Sequence, residues 1–291
     1  MENSLTIIVP AYNEEKSLEH FLPELLAFCE KNFFQLIVVN DGSSDKTQDV
    51  LEKYRQKNNF SSIKNKINKG YGGAIKAGIA EVKTKYLITI DADGQHYLED
   101  IEKLYQEIIS KDADMIVGNR KNNASGYYRS FGKWLIRNIA KILMPLKITD
   151  INSGMKIYTT DLAKKYIRIC PDSMAYSDII ALTFISQKQL VLEIPIQIKP
   201  RTSGTSTIST KTAFETLKEI LNIVVLFNPM RIFFPLAFFF IIAGIMWGFP
   251  IVLIGKGISV GAMVSIISGI IFFFFGLIAE QISSMRKENL N

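Results

Sequence analysis

The chain has 291 residues, an excess of six positive charges, 48% hydrophobic residues and two cysteines. That length accommodates one large domain or two small ones. Cys29 and Cys170 lack metal-ligand spacing and read as reduced structural thiols. No nucleic-acid motif accompanies the basic charge, which instead suits a protein lying against an anionic leaflet.

In chain order, "LTIIV" (5–9), "FQLIVV" (34–39), "YLITI" (86–90) and "DMIVG" (114–118) predict strands, and stretches near 14–30, 45–57, 72–83 and 97–110 predict helices. A strand from Leu5, rather than a signal peptide, is expected at the start. Alternating strands and helices imply a mostly parallel sheet covered on both faces, with ligands bound beyond the carboxyl ends of the strands. "PAYNEE", "NDGSSDKT" and "DADGQH" follow three of these strands and place Glu14, Asp41, Asp91 and Asp93 along one edge. Each alone reads as a turn or helix start, with Ser44 or Asp45 as an N-cap and Glu99 and Asp100 in a first turn. Three on one edge point to a site.

Between residues 129 and 146, Arg129, Lys133, Arg137 and Lys141 fan over one side of a predicted helix. Phe131, Trp134, Leu135, Ile139, Ile142, Leu143 and Leu146 fill the other side. The pattern fits an interfacial helix, and equally an ordinary amphipathic helix packed on the sheet. A second amphipathic stretch over 211–230 carries Phe214, Leu217, Leu221, Val224 and Val225 on its apolar side.

Residues 232–254 and 258–279 contain no charge, and each is long enough to span a bilayer as a helix. The short "GKG" between them predicts a hairpin. Lys211, Lys218 and Arg231 precede the first span, Arg286 and Lys287 follow the second, and Lys256 alone sits in the turn. The positive-inside tendency then puts the soluble part and a 283–291 tail in the cytoplasm. Gly261, Ser265 and Gly269 recur every four residues and permit close helix approach, within the hairpin or between subunits of a homo-oligomer.

The loops named above occur in a recognisable order: "PAYNEE", "VVNDGSSDKT", "NKGYGGAIKAGI", "IDADGQHYLED", then "GNR" (118–120) and "DINSGMKIY" (150–158). In this the chain resembles glycosyltransferase family 2, and within it the branch that glycosylates polyprenyl phosphates, over residues 5 to about 207. The resemblance implies an α/β fold: a GT-A, Rossmann-like catalytic domain over 1–210, a juxtamembrane helix over 211–230, and a two-helix transmembrane hairpin over 231–282. It further implies a nucleoside-diphosphate sugar donor, a polyprenyl phosphate acceptor, Mg²⁺ or Mn²⁺, and inversion at the anomeric carbon.

By that resemblance Asp93 and Gln95 lie nearest the metal, with Asp91 assisting the nucleotide or the metal shell. Pro10, Tyr12, Glu14, Asp41 and Ala92 line the nucleotide pocket; Arg137, Ser153 and Arg201 face the acceptor phosphate, and Arg120 the acceptor phosphate or the donor diphosphate. The physical logic is that a hard divalent cation on carboxylate oxygens stabilises the charge growing on the departing diphosphate. His96 is assigned to the following helix turn rather than to the metal. The "GYGG" glycines suit a tight turn, not a dinucleotide fingerprint.

The chain departs from the family's R-x-x-G-x-S-K pattern, since Thr207 stands where lysine is expected and Lys211 lies one turn on. A lipid phosphate is already ionised at neutral pH, so attack on the sugar needs no strong general base. Asp178 is accordingly read as structural or as a sugar contact. A Q-x-x-R-W motif is missing around Trp134 and Trp247, against a processive polysaccharide synthase. The expected donor is a UDP-sugar such as UDP-glucose, with GDP-mannose as the alternative. A catalytically inactive nucleotide-sugar-binding scaffold is the reading from another class. The expected location is the cytoplasmic face of a bacterial inner membrane.

Overall fold

The computed structural model describes residues 5–120, 148–199, 221 and 224–288. Arg137, Arg201, Thr207 and Lys211 lie outside the described residues, as do the whole of the 129–146 stretch and most of the 211–230 stretch. The described chain forms two units, one built from residues 5–120 and 148–199 and the other containing 224–288.

In the first unit the strands are β1 (Leu5–Ala11), β2 (Gln35–Asn40), β3 (Phe60–Lys64), β4 (Tyr86–Thr89), β5 (Met115–Arg120), β6 (Lys156–Thr159) and β7 (Val191–Ile196). They form one sheet in the order β3-β2-β1-β4-β6-β5-β7. Only β6 runs against its neighbours, pairing antiparallel with both β4 and β5. The helices are α1 (Glu15–Asn32), α2 (Thr47–Glu52), α3 (Tyr71–Glu81), α4 (Leu98–Ser110), α5 (Thr160–Tyr166) and α6 (Tyr176–Ser186).

Four strands and four helices match the expected segments; β3, β6 and β7 do not appear among them. Their sequences explain why. β3 ("FSSIK") is a half-polar edge strand, β6 ("KIYT") opens on a lysine, and β7 ("VLEIPI") contains Glu193 and Pro195. A proline is tolerated in β7 because that strand is also an edge, paired only with β5. The helix expected at 45–57 shortens to Thr47–Glu52, and the chain then turns through Tyr54 N–H to Leu51 O and Arg55 N–H to Glu52 O.

The central strands are buried on both faces, as continuous apolar runs in a parallel sheet require. Leu5, Ile7 and Val9 pack with Leu18, Leu22 and Leu25 of α1 and with Ile101 and Leu104 of α4. On the other face α3 lies close: a Cβ on Gly78 would stand 2.7 Å from Ile8 Cγ2. Farther along, Tyr166 meets Phe184 edge-to-face with ring centroids 4.9 Å apart. Both cysteines are free and buried, and burial pushes each thiol up to about 12, so they are inert packing residues.

The second unit contains α7 (Met230–Leu253) and α8 (Val260–Glu288), both apolar and long enough to cross a membrane. The turn between them places Gly255 at φ +73° and Gly257 at φ +76°. The helices pack antiparallel through small residues. A Cβ on Gly269 would lie 2.6 Å from Ile241 Cγ1 and 2.7 Å from Ala237 O, one on Gly244 would lie 2.6 Å from Ile266 Cγ1, and Ser265 Oγ donates to Phe240 O at 2.8 Å. The 261-265-269 spacing thus serves contact within the hairpin. Phe238, Phe239, Met246, Trp247, Phe274 and Phe275 remain more than half exposed on the outside, as a lipid-facing surface requires.

Candidate active site

Parallel pairing brings the carboxyl ends of β1, β2, β4 and β5 to one edge, and the reversed β6 brings its amino end to the same edge. The sequence around 150–156 therefore arrives beside Asp91, which follows β4, and Arg120, which ends β5, the two strands that flank β6.

At the β1–β2 corner, Tyr12 and Asn13 are exposed and Pro10 is buried in its strand. Asn13 N–H donates to Ser43 Oγ at 3.0 Å, and Ser44 N–H donates to Asn13 Oδ1 at 2.8 Å. Glu14 N–H reaches Thr47 Oγ1 at 3.0 Å, and Glu15 N–H reaches Asp45 Oδ2 at 3.1 Å. The "PAYNEE" and "NDGSSDKT" loops thus interlock through side-chain bonds. Asp41 is buried; it accepts from Asn65 Nδ2 at 2.7 Å, from Lys69 N–H and from Gly70 N–H at 2.8 Å. Its carboxylate ties the β2 end to the loop that starts α3.

Asp91 is the centre of the edge. Tyr71 donates its hydroxyl to Asp91 Oδ1 at 3.1 Å, and His96 Nε2 lies 3.6 Å from Oδ2. Burial works to raise the Asp91 carboxyl, but His96, Tyr71 and then Lys156 outweigh it and hold the group below the ordinary carboxylate range. Tyr71 responds in the opposite sense: burial, then the neighbouring Asp91 charge, pushes its phenol well above its usual value. Ala92 is buried, Asp93 is exposed and accepts from Gln95 N–H at 3.1 Å, and Gln95 O accepts from Lys199 N–H at 2.8 Å. His96 is buried and bridges to Ile198, so it stands behind Asp91 rather than in the following helix turn.

Arg120 is gripped by Asp150. Nε donates to Oδ2 at 2.8 Å, Nη2 donates to Oδ1 at 2.8 Å, and the Arg120 backbone N–H adds a third bond at 3.0 Å. Asn152 O accepts from Nη2 at 3.0 Å. The Asp150 bond raises the Arg120 guanidinium further, so it stays charged. Glu193 on β7 fixes Asp150 in turn, accepting from the backbone N–H of Thr149 and of Asp150.

Ser153 is fully buried, and its carbonyl, not a free hydroxyl, is its main polar contribution: it accepts from Lys156 Nζ and from Ser177 Oγ. Lys156 is itself buried; burial pulls its ammonium down to about 8, against Asp178 and then Asp150. Asp178 is half-buried, and its charge is the first of those that oppose the shift. Tyr71, Asp150, Gly154 and Lys156 are the members of this cluster that sequence reasoning missed. "GYGG" and "DINSGMKIY" flagged their motifs, but only folding discloses which side chain meets Asp91.

These residues suit a hard divalent cation at the edge. Asp93 offers an exposed carboxylate, and Asp91 offers oxygens at a strand end, where Gly154 leaves room for them. Among the described residues no three His, Cys, Asp or Glu side chains gather as a closed metal cage.

Known proteins show the same architecture. The solved glucosyl-3-phosphoglycerate synthase of Mycobacterium tuberculosis superposes with a TM-score of 0.59 over 77% of this chain and 80% of its own, at 13% identity. A second structure of that enzyme, with Mn²⁺, UDP-glucose and phosphoglyceric acid, gives a TM-score of 0.58 over 77% of this chain and 80% of that one, at 13% identity. At such identity the likeness concerns the fold alone. Dolichyl-phosphate beta-glucosyltransferase ALG5A of Trichomonas vaginalis is 31% identical over 55% of this chain and 54% of its own length. Undecaprenyl-phosphate 4-deoxy-4-formamido-L-arabinose transferase of Edwardsiella ictaluri is 26% identical over 69% of this chain and 62% of its own. The match thus spans little more than half of each of these two relatives. A GtrB C-terminal hairpin matches residues 228–285, and glycosyl transferase family 2 matches residues 6–167. With more than half of its length matched by that family and the fold to go with it, the chain belongs to glycosyltransferase family 2.

Proposed function

We propose that this glycosyltransferase moves a sugar from a nucleoside diphosphate to a polyprenyl phosphate at the cytoplasmic face of a membrane, in a bacterium the inner membrane. The observation that carries the reading is the joining, in one chain, of a family 2 domain to an antiparallel apolar hairpin. A soluble acceptor would need no membrane anchor. A polyprenyl phosphate presents its charge at headgroup height. Relatives named for dolichyl-phosphate and undecaprenyl-phosphate transfer support the acceptor.

In this reading Pro10, Tyr12, Glu14, Asp41 and Ala92 border the nucleotide, and Asp91, Asp93 and Gln95 hold the diphosphate and a Mg²⁺ or Mn²⁺ ion. The cation supplies Lewis-acid stabilisation of the leaving diphosphate. Arg120, kept charged and oriented by Asp150, meets a phosphate oxygen; Arg137 and Arg201, outside the described residues, take the acceptor-phosphate role that the family resemblance implies. The acceptor oxygen attacks the anomeric carbon as the bond to the diphosphate breaks, with inversion, and its ionised state removes the need for a general base. Asp178, whose charge offsets the burial of Lys156, has a structural role.

The donor is a UDP-sugar, UDP-glucose first, in keeping with the relative named for beta-glucosyl transfer to dolichyl phosphate. The test uses full-length protein in lipid nanodiscs with undecaprenyl or dolichyl phosphate, UDP-glucose, UDP-N-acetylglucosamine or GDP-mannose, and Mn²⁺ or Mg²⁺. The expected product is a lipid-linked sugar, seen by mass spectrometry and lost in Asp93→Ala while folding is kept. No transfer across the panel sinks the reading, and donor binding without turnover would instead mark an inactive scaffold. Thermal stabilisation by GDP-mannose alone would replace the UDP assignment.

A further inference from the structure

Gly154 lies closer to Asp91 than any other residue type would allow. A Cβ built on Gly154 would overlap Asp91 Oδ2 and stand 2.7 Å from Cγ and 2.7 Å from Oδ1, and these three nearest atoms all belong to that one side chain. Backbone conformation does not demand glycine here. The described glycines with positive φ are Gly42, Gly70, Gly94, Gly255 and Gly257, so alanine could adopt the backbone of Gly154. The glycine provides space, and the Asp91 carboxylate fills it.

The walls of that space are fixed by hydrogen bonds. Thr89 Oγ1, at the end of β4, donates to Gly154 O at 2.9 Å. Lys156 Nζ and Ser177 Oγ both donate to Ser153 O, the latter at 3.0 Å. Gly118 N–H donates to Met155 O at 3.0 Å. The backbone on either side of Gly154 is therefore anchored to β4, β5 and α6, whereas the Asp91 carboxylate is the movable end of a side chain.

We propose that Gly154 is a positioning residue: its missing side chain is the slot that holds the Asp91 carboxylate toward the donor diphosphate, and Lys156 locks the slot through the Ser153 carbonyl. The inference rests on the reading of Asp91 as a donor-site residue. A carboxylate confined in advance does not have to lose rotamer freedom when the substrate binds. An added methyl evicts the carboxylate rather than the backbone, because the terminal group yields most easily.

The test compares full-length Gly154→Ala, Asp91→Ala and the double variant. Without ligand, Gly154→Ala should melt within about 2 °C of the unmodified protein, since a shift of that size is under ~1 kcal/mol for a domain of this length. Displacement of the carboxylate by about 1 Å should lower turnover roughly 100-fold and reduce the stabilisation given by UDP with MnCl₂. A crystal structure of Gly154→Ala should show the carboxylate rotated out of the slot. In the Asp91→Ala background the Gly154→Ala change should cost less than about two-fold more, because both act through one group. If Asp91→Ala abolishes turnover and Gly154→Ala leaves it intact, or if the two losses multiply, the proposal is overturned. If Asp91→Ala itself keeps full turnover, the donor-site reading fails and the proposal falls with it.

Discussion

Removing Asp150 tests how the site keeps Arg120 in place. Asp150→Ala deletes two side-chain bonds at 2.8 Å and one backbone bond at 3.0 Å to Arg120. The two side chains keep 37% and 18% of their exposure, which places the pair between a surface ion pair and a buried one. Surface pairs contribute about 0–1 kcal/mol, and breaking a buried pair costs about 3–5 kcal/mol, so roughly 2 kcal/mol is expected here. For a domain of this size that loss lowers the melting temperature by about 4–8 °C. Burial raises the Asp150 carboxyl, but its bonds to Arg120 win and hold it below the ordinary range. A depressed carboxyl contributes fully above its unfolded value near ~4, and the contribution disappears as the pH falls through the folded value. The difference in melting temperature between the two proteins should therefore be complete at neutral pH and vanish in acid. Differential scanning fluorimetry across pH 2–7 (roughly the span set by the unfolded carboxyl value) reads both effects, and acceptor titration should show KM for the polyprenyl phosphate rising about ten-fold, one 1.4 kcal/mol step. Equal melting temperatures within about 1 °C at neutral pH, well below the shift expected for 1 kcal/mol, together with an unchanged acceptor KM, would refute the positioning role.

Two further outcomes follow from the packing. Burial lowers Lys156 to about 8, below the unfolded lysine value, so the unfolded chain holds the proton more tightly and stability rises as the pH climbs from about 8 to ~10.4. Lys156→Met should flatten that rise in thermal melts, and an undiminished rise would assign it to another group. In the hairpin, Gly269→Ala puts a methyl 2.7 Å from the backbone oxygen of Ala237, which cannot rotate aside. A cost of about 1–3 kcal/mol is expected, read as a lower SDS midpoint in circular dichroism; an unchanged midpoint would contradict the observed helix contact.

How much could be read before folding depends on the range of each interaction. Apolar runs with uniform burial, as in β1, β2 and β4, announce themselves in a few residues, because a parallel strand is covered on both faces. The same holds for the hairpin, where two charge-free stretches have one economical solution in a bilayer. The edge strands β3 and β7 carry serine, glutamate and proline that local pattern cannot distinguish from loop. β6 was legible only as part of a motif, and its antiparallel direction was not legible at all, although that reversal is what delivers Gly154 and Asp150 to the site.

The sequence by itself determined the family, the kind of sheet, the hairpin and the acidic loops at one edge, because each is written in local composition and in the order of short motifs. Tertiary structure alone decided which groups meet. Ser153 became a buried carbonyl rather than an exposed hydroxyl, His96 came to stand behind Asp91, and Arg120 was claimed by Asp150. The contacts behind the site reach along the chain: Ser153 O meets Ser177 24 positions on, Arg120 meets Asp150 30 positions on, and Thr89 holds Gly154 65 positions on. Their geometry exists only once the strands have set their register, since a one-residue slip would turn each side chain to the opposite face of the sheet.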